Sequence, residues 1–311
     1  LEIQNIQKII RELKEDNTSG ASEFIDKSLE IIITQLEQVT DPYKDIKEDL
    51  IYLLKQIIDT RPSMAPLINT MGYLIHDLEK ITKIVIEERL SEFKSYREKI
   101  IKALEFAFQS FLKENKKLPL KVMLLSYSST IINLLLKNKE YEFEIYVLES
   151  RPLLEGQHVA EILSSRFKTH LIIDSAMGNF IDEIDVVLIG VDSILKDGSI
   201  INKVGTFTLA VLASTSKVKV YAVCDSYKYN LKSHYGYSVL IKEKPIREVY
   251  DKEIINKFLE VHNFYFDITP PEYISGIISE LGILTIKEFL EKVKKVLPIE
   301  WFKYFLNNKE I

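Results

Sequence analysis

The strongest constraint on the fold is a change of pattern near residue 119. Of the ten glycines, only Gly20 and Gly72 precede this point, and the other eight follow it. Before it, apolar residues recur at helical spacing, as in Ile3, Ile6 and Ile10. After it, short β-branched apolar runs alternate with helical stretches. This alternation predicts βαβ units with right-handed crossovers, and therefore a doubly wound parallel sheet.

The chain is expected to form two domains, a helical domain over residues 1–117 and a Rossmann-like α/β domain over residues 118–311. A candidate helix at 81–114, about 34 residues long, is long enough to connect them rigidly, and Pro119 marks its end. Strands of the second domain are expected at 121–125, 143–148, 169–173, 185–189 and 218–224. Helices are expected near 128–138, 157–166, 175–182 and 204–216.

Composition and charge exclude several classes of function. The formal net charge is −5 and the sequence pI is about 5.7, which argues against a protein that coats nucleic acid. Cys224 is the only cysteine, so neither an intrachain disulfide nor a cysteine-based metal site is expected. The five histidines show no metal-ligand spacing. No apolar run approaches ~18 residues and no signal peptide opens the chain, so we expect a cytoplasmic protein without a membrane contact.

The segment at residues 186–206 is the most informative stretch for function. An apolar run of the buried-strand type ends at Gly190 and Asp192, and Asn202, Lys203, Gly205 and Thr206 open an apolar helical pattern. A strand that ends in a carboxylate and leads into a helix N-terminus is where open α/β sheets bind ligands. Asn202 supplies a neutral donor, and Lys203 supplies a point charge suited to a phosphate.

Polar side chains also follow the other predicted strands. They are Ser126, Ser128 and Ser129 after the first strand, Arg151 and Gln157 after the second, and Lys228 after the fifth. Ordinary structural roles exist for several of them, since serines cap helices and Arg151 can pair with Glu149 or Glu155. Because the carboxyl ends of parallel strands share one edge, we expect a shared pocket for a small anion. Gly20 and Arg61 are expected to complete it from the helical side, with no metal and no cofactor.

Several motifs occur in the order and spacing of one superfamily. They are SYSST (126–130), ESRPLLEGQHVAEIL (149–163), GVDSILKDGSIINKVGT (190–206), DSYKY (225–229) and FDITPPEYISGIISELGIL (266–284). The chain resembles the regulatory (alpha, beta and delta) subunits of translation initiation factor two B and their archaeal relatives. The same superfamily contains ribose-1,5-bisphosphate isomerase and methylthioribose-1-phosphate isomerase. The resemblance covers the C-terminal two thirds of the chain and extends weakly into the helical part.

The resemblance implies the same pocket but argues against catalysis. The isomerases of this superfamily use a cysteine and an aspartate as an acid–base pair. Carried over by motif, Ser126 takes the place of the cysteine, and Asp192 retains the aspartate. A serine hydroxyl is far too weak an acid for that task, because a catalytic group needs a pKa near the working pH. The isomerase motif Arg-Gly-Ala reads Ser19-Gly20-Ala21 here, so one phosphate partner is missing.

Two functions from different classes stay open on the sequence. The favoured one is a non-catalytic translation-factor subunit that binds a sugar phosphate or a nucleoside monophosphate in the inherited pocket. The alternative is an aldose–ketose isomerase that acts on a sugar phosphate. The resemblance also implies translation initiation factor two or sister subunits as partners. A homodimer or larger oligomer is expected through the apolar C-terminal stretches around Tyr237 and Ile277.

Overall fold

A helical bundle forms the first part of the chain. The computed structural model describes residues 3–15, 20–62, 64–115, 117–252 and 257–303. The first five helices are α1 (Ile3–Glu15), α2 (Ala21–Glu37), α3 (Lys47–Thr60), α4 (Ala65–Ile75) and α5 (Lys83–Glu114). Helix α4 lies at the centre of this part, since its side chains from Ala65 to Ile75 are almost all buried. The predicted long helix at 81–114 is confirmed as α5.

The second part contains ten strands and five further α-helices among the described residues. The strands are β1 (Leu120–Leu125), β2 (Phe143–Leu148), β3 (Lys168–Ile172), β4 (Val186–Ile189), β5 (Ser193–Ile194), β6 (Ile200–Lys203), β7 (Lys219–Val223), β8 (Phe266–Thr269), β9 (Gly276–Ser279) and β10 (Gly282–Leu284). The helices are α6 (Ser129–Lys137), α7 (Glu155–Ser164), α8 (Thr206–Thr215), α9 (Leu231–His234) and α10 (Ile286–Val296). All five predicted strands are therefore confirmed, with shifts of a residue or two at their ends.

The main sheet has seven strands in the order β10-β9-β7-β4-β1-β2-β3. The six strands β9, β7, β4, β1, β2 and β3 run parallel. Strand β10 lies at the edge and pairs with β9 as an antiparallel hairpin. The predicted α/β class with a mostly parallel sheet is confirmed. The sequence prediction lacked β9 and β10, and it lacked a second, antiparallel sheet in the order β5-β6-β8.

Two apolar clusters cover the two faces of the main sheet. One contains Val122, Leu124 and Ile145 with helices α6 and α7 and the C-terminal half of α5. The other joins Met123 and Leu125 to α8 and to the helical bundle. Helix α5 therefore takes part in both clusters and packs the helical bundle against the sheet.

Three local predictions need correction. The expected helix at 175–182 is a pair of 3-10 turns, Asp174–Asn179 and Ile181–Glu183, in which the N–H of Phe180 donates to the carbonyl of Met177. Asn202 and Lys203 end strand β6 and precede α8 by a turn at Gly205. Ile277 was expected at an interface, but it lies fully buried in β9 because that strand is interior to the sheet.

We propose the boundary between the two domains at residue 117, between the end of α5 and the start of β1. The two parts are nevertheless tied together by specific contacts. The side chain of Asn69 on α4 donates to the carbonyl oxygens of Tyr227 and Tyr229 at 2.6 and 2.8 Å. Gly72 on the same helix packs beneath Trp301, where an added Cβ would lie 1.7 Å from the indole ring.

Candidate functional site

The loops after β1 and β2 are braced against each other by serine and aspartate side chains. Ser126 and Ser150 both adopt left-handed φ values of 66°. The Ser150 hydroxyl accepts from the N–H of Ser126 at 2.7 Å and donates to the carbonyl of Leu148 at 2.9 Å. The carboxylate of Asp174 accepts from the N–H groups of Ser150 and Arg151. These bonds fix the edge of the sheet at which the predicted site residues lie.

Asp192 lies within the electrostatic influence of three predicted cations. Burial raises the pKa of Asp192 above its ordinary value, while Lys228, Arg61 and Lys203 act in the opposite direction. Two of these cations come from the α/β part, and Arg61 comes from the end of α3, where its guanidinium stacks 3.9 Å above the centroid of the Phe24 ring. The fold thus brings one carboxylate and three cations together from both parts of the chain.

Ser128, Gly190 and Asn202 meet at the ends of β1, β4 and β6. A Cβ placed on Gly190 would lie 3.3 Å from Ser128 Oγ and 3.8 Å from Asn202 Oδ1, so a larger residue would fit only with a small shift of Ser128. The Ser128 hydroxyl caps α6 by accepting from the N–H of Ile131. The buried side chain of Asn202 donates to the hydroxyl of Thr206 at 3.1 Å. Ser128 and Asn202 therefore both make hydrogen bonds that stabilise the fold, independently of any ligand.

Lys203 is a buried lysine with a carboxylate partner. Its Nζ lies 2.7 Å from Glu155 Oε1, and its side chain is only 5% exposed. The ammonium also lies 5.2 Å from the ring centroid of Tyr265. Glu155 Oε2 is buried and has no hydrogen-bond partner within the described part of the chain. A phosphate that bound Lys203 would have to displace or share this ion pair.

The N-terminus of α8 is already occupied by a carboxylate. Asp267 Oδ2 accepts from the N–H groups of Gly205 at 2.7 Å and Phe207 at 3.1 Å. Burial raises the pKa of Asp267 to about 6, although these two N–H groups act in the opposite direction. The sequence prediction used this helix N-terminus as a phosphate site, and Asp267 takes that position instead.

Ser129 and Lys228 line a cleft of about 300 Å³ between the two parts of the chain. Ala21 and Ser22, at the start of α2, form part of the opposite wall. Gly20 precedes them and packs against the ring of Tyr127, 3.8 Å from an added Cβ. Two predicted residues of the α/β part therefore border this cleft, and the predicted Gly20 lies next to its helical wall without lining it. Ser19 lies outside the described residues.

Arg151 and Gln157 do not join the rest of the predicted set through any contact among the described residues. The Arg151 guanidinium is exposed and donates to the carbonyl of Glu248 at 3.0 Å. The Gln157 side chain is also exposed. Both belong to the loop and first turn around Glu155, but only Glu155 is shown to contact Lys203.

Sequence analysis did not predict a functional role for three residues of the site. Glu155 forms an ion pair with Lys203, the ring of Tyr265 lies near the Lys203 ammonium, and Asp267 caps α8. An acidic residue before a glycine at a helix start is the only signal that pointed to Glu155. Among the residues with described positions, no group of three or more His, Cys, Asp or Glu side chains could hold a metal ion.

The arrangement suits a small anion with hydroxyl groups. Lysine and arginine attract a phosphate, and Ser128, Ser129 and Asn202 offer neutral hydrogen-bonding groups beside them. Asp192 adds a carboxylate near these cations. None of the helices described here is both long enough and apolar enough to cross a membrane.

Relatives in other organisms carry two kinds of name. A Pyrococcus furiosus protein named as translation initiation factor eIF-2B subunit 2-like is 29% identical over 286 residues, which is 90% of this chain and 96% of that protein. Ribose 1,5-bisphosphate isomerase from Archaeoglobus fulgidus is 28% identical over 289 residues, which is 91% of this chain and 90% of the isomerase.

The fold is also similar to a crystal structure of translation initiation factor eIF-2B from Pyrococcus horikoshii OT3. The TM-score is 0.76 at 26% identity, and the match covers 91% of this chain and 97% of that one. Residues 3–286 match the family model described as the Initiation factor 2 subunit family. The chain belongs to this family.

Proposed function

We propose that the chain is a non-catalytic regulatory subunit of the initiation factor type, which binds a sugar phosphate or a nucleoside monophosphate at the strand ends. The observation that carries this proposal is the position of the only thiol. Cys224 is 2% exposed at the end of β7, and burial raises its pKa well above the ordinary value. A protonated, buried thiol is a poor proton-transfer group.

The binding part of the proposal is supported by the charge around Asp192. Lys203, Lys228 and Arg61 bring positive charge to the site, and the carboxyl groups of Asp192, Glu155 and Asp225 offset part of it. A dianionic phosphate would compete with Glu155 for Lys203, whereas a neutral sugar would leave the ion pair intact. Phosphorylated ligands should therefore bind more tightly than their dephosphorylated forms. We further propose that the protein acts in the cytoplasm with translation initiation factor two or sister subunits.

A sugar-phosphate isomerase is the second candidate function. It is favoured by the 28% identity to ribose 1,5-bisphosphate isomerase over nine tenths of both chains. It is opposed by the serine at position 126 and by the buried state of Cys224.

Removing the Lys203–Glu155 pair is expected to weaken phosphate binding by about tenfold or more. The double variant Lys203→Met, Glu155→Gln takes away the cation without leaving a buried carboxylate unpaired. Calorimetry with ribose 1,5-bisphosphate and with adenosine monophosphate measures the affinity. Lys196→Met, which removes an exposed lysine from the β5–β6 hairpin, is the matched control and should bind like the wild type. Unchanged affinity in the double variant would remove Lys203 from the site.

An assay of product formation from two sugar phosphates decides between the two candidate functions. We expect no conversion of ribose 1,5-bisphosphate or 5-methylthioribose 1-phosphate above the uncatalysed rate. Conversion by the wild type that is lost in Asp192→Asn would establish the isomerase and reject the regulatory proposal. Binding without conversion is the result that the regulatory proposal requires.

The exposed apolar side chains of the C-terminal region support a proposed homodimer. They are Tyr237, Leu240, Ile246, Val249, Phe258, Leu259, Phe264 and Ile268. Exposed apolar side chains concentrated in one region of a chain favour an interaction surface, and a two-fold contact needs only one self-complementary patch.

Light scattering at micromolar concentration is expected to give the mass of a dimer or a larger assembly. The double variant Leu240→Glu, Phe258→Glu is expected to give a monomer, because it places charge on side chains that are 74% and 83% exposed. Tyr52→Glu alters a side chain that is 61% exposed in the helical part, and it should leave the mass unchanged. A monomeric wild type would reject the dimer, and a dimeric double variant would place the interface elsewhere.

A further inference from the structure

A buried glutamine without a partner lies at the floor of a groove in the helical part. Gln35, near the end of α2, is 2% exposed, and neither its Nε2 nor its Oε1 has a hydrogen-bond partner in the described structure. Buried carboxamides are ordinarily hydrogen-bonded, because an unsatisfied donor and acceptor both cost stability. The groove runs between the end of α2, the loop at 38–46 and the start of α3.

The groove has a volume of about 130 Å³. Sites for drug-sized ligands and cofactors start at roughly 300 Å³, so this groove takes only a fragment of a larger molecule. Its walls include Leu36, Val39 and Leu50, which favour an aliphatic group over a cluster of waters. The occupant should therefore combine an aliphatic body with a polar group that faces Gln35.

The chemistry of the carboxamide specifies that polar group. A glutamine side chain presents a C=O acceptor and an NH₂ donor side by side in one plane. The matching partner offers one donor and one acceptor at the same spacing, as the backbone amide of a peptide does. A single leucine or valine residue of a peptide carries both this amide and an aliphatic side chain of the right size.

The mouth of the groove indicates the flanking residues of such a peptide. Asp41 and Asp49 line it together with one cation, Lys44, and the neighbouring Glu37 and Glu48 are exposed. This acidic rim favours a peptide with basic residues on either side of the buried one. Two tyrosines next to lining residues, Tyr43 and Tyr52, are 70% and 61% exposed, as is common at protein-binding surfaces.

We infer that the groove at Gln35 is a docking site for a peptide segment of a partner protein, with one branched aliphatic residue in the groove and basic residues beside it. The site lies in the helical part, away from the strand ends, and does not depend on the function proposed above.

The probe is the peptide acetyl-Lys-Leu-Lys-amide, titrated into the ¹⁵N-labelled full chain and followed by nuclear magnetic resonance. The backbone amide of Val39 and the side-chain amide of Gln35 should shift and saturate, with a Kd of about 1 to 10 mM for so small a ligand. The peptide acetyl-Asp-Leu-Asp-amide should bind about tenfold more weakly, because its charges meet the acidic rim.

Gln35→Leu should weaken binding by about tenfold or more, as followed at Val39, while the chain stays folded. The matched control is Gln56→Leu, which changes a half-buried glutamine of α3 that does not line the groove, and it should bind like the wild type. If Gln35→Leu does not fold, Val39→Trp provides the second test, because it fills the groove and leaves Gln35 in place.

Two results would overturn the inference. Equal molar affinity for N-methylacetamide and for the peptide would make this a site for a small amide and not for a peptide. If the peptide causes no shift, and magnetisation is transferred from water to the Gln35 side-chain amide, the groove is a water-filled cavity.

Discussion

Replacing Gly156 by alanine is expected to lower the free energy of unfolding by about 3 kcal/mol or more. Gly156 lies in the first turn of α7, where the helix meets the end of β2. A Cβ at this position would lie 1.8 Å from the carbonyl oxygen of Leu148 and 2.8 Å from its carbonyl carbon. Both atoms belong to the backbone of a buried strand, so no side-chain rotation relieves the clash.

The same substitution is expected to disturb the candidate site. Helix α7 must move away from the strand end, and it carries Glu155, which pairs with Lys203. Urea unfolding measures the stability, and calorimetry with a sugar phosphate measures the site. Gly178→Ala is the matched control, because an added Cβ there has no atom within 4 Å. A Gly156→Ala variant within about 1 kcal/mol of the wild type would contradict the close packing of α7 on β2.

Much of the fold follows from the sequence because the core strands have a simple pattern. β1, β2 and β4 are short apolar runs buried on both faces, as strands of a parallel sheet covered by helices must be. β9 did not stand out, because its apolar run is only two residues long, between Gly276 and Ser279. Its place beside β7 depends on a return of the chain more than fifty residues later, which no local pattern encodes.

Topology predicts the position of some residues of the candidate site but not their partners. Parallel strands deliver Asp192 and Lys228 to one edge, and this placement follows from topology alone. The partner of Lys203 was not predictable, since Glu155 lies 48 residues earlier in the chain. The capping of α8 by Asp267 was not predictable either. It depends on the register of the second sheet, in which Asn202 lies opposite Asp267.

The buried acidic pair at the end of β7 predicts a pH dependence of stability. Both carboxylate oxygens of Glu280 accept from the N–H of Ser226, at 3.0 and 3.1 Å. Burial, followed by repulsion from Asp225, raises the pKa of Glu280 from 4.5 to about 7. Between pH 4.5 and about 7, the folded protein therefore keeps a proton on Glu280 that the unfolded chain has largely released.

The stability that this proton contributes is present below pH 4.5 and is lost as the pH rises through about 7. Relative to a Glu280→Gln variant, the free energy of unfolding of the wild type should fall by on the order of 2 to 3 kcal/mol across this window. Glutamine keeps an oxygen that accepts from Ser226, so the difference between the two profiles isolates the titration of Glu280.

Asp225→Asn and Glu291→Gln complete the test by urea unfolding at each pH. Removing the charge of Asp225 should bring the pKa of Glu280 closer to its ordinary value and narrow the window, because one of the two main causes of the shift is gone. Glu291 is an exposed residue of α10, so its replacement should leave the wild-type profile unchanged. Parallel profiles for the wild type and Glu280→Gln between pH 4.5 and 7 would contradict the buried acidic pair, since a carboxyl group with an ordinary pKa contributes no slope there.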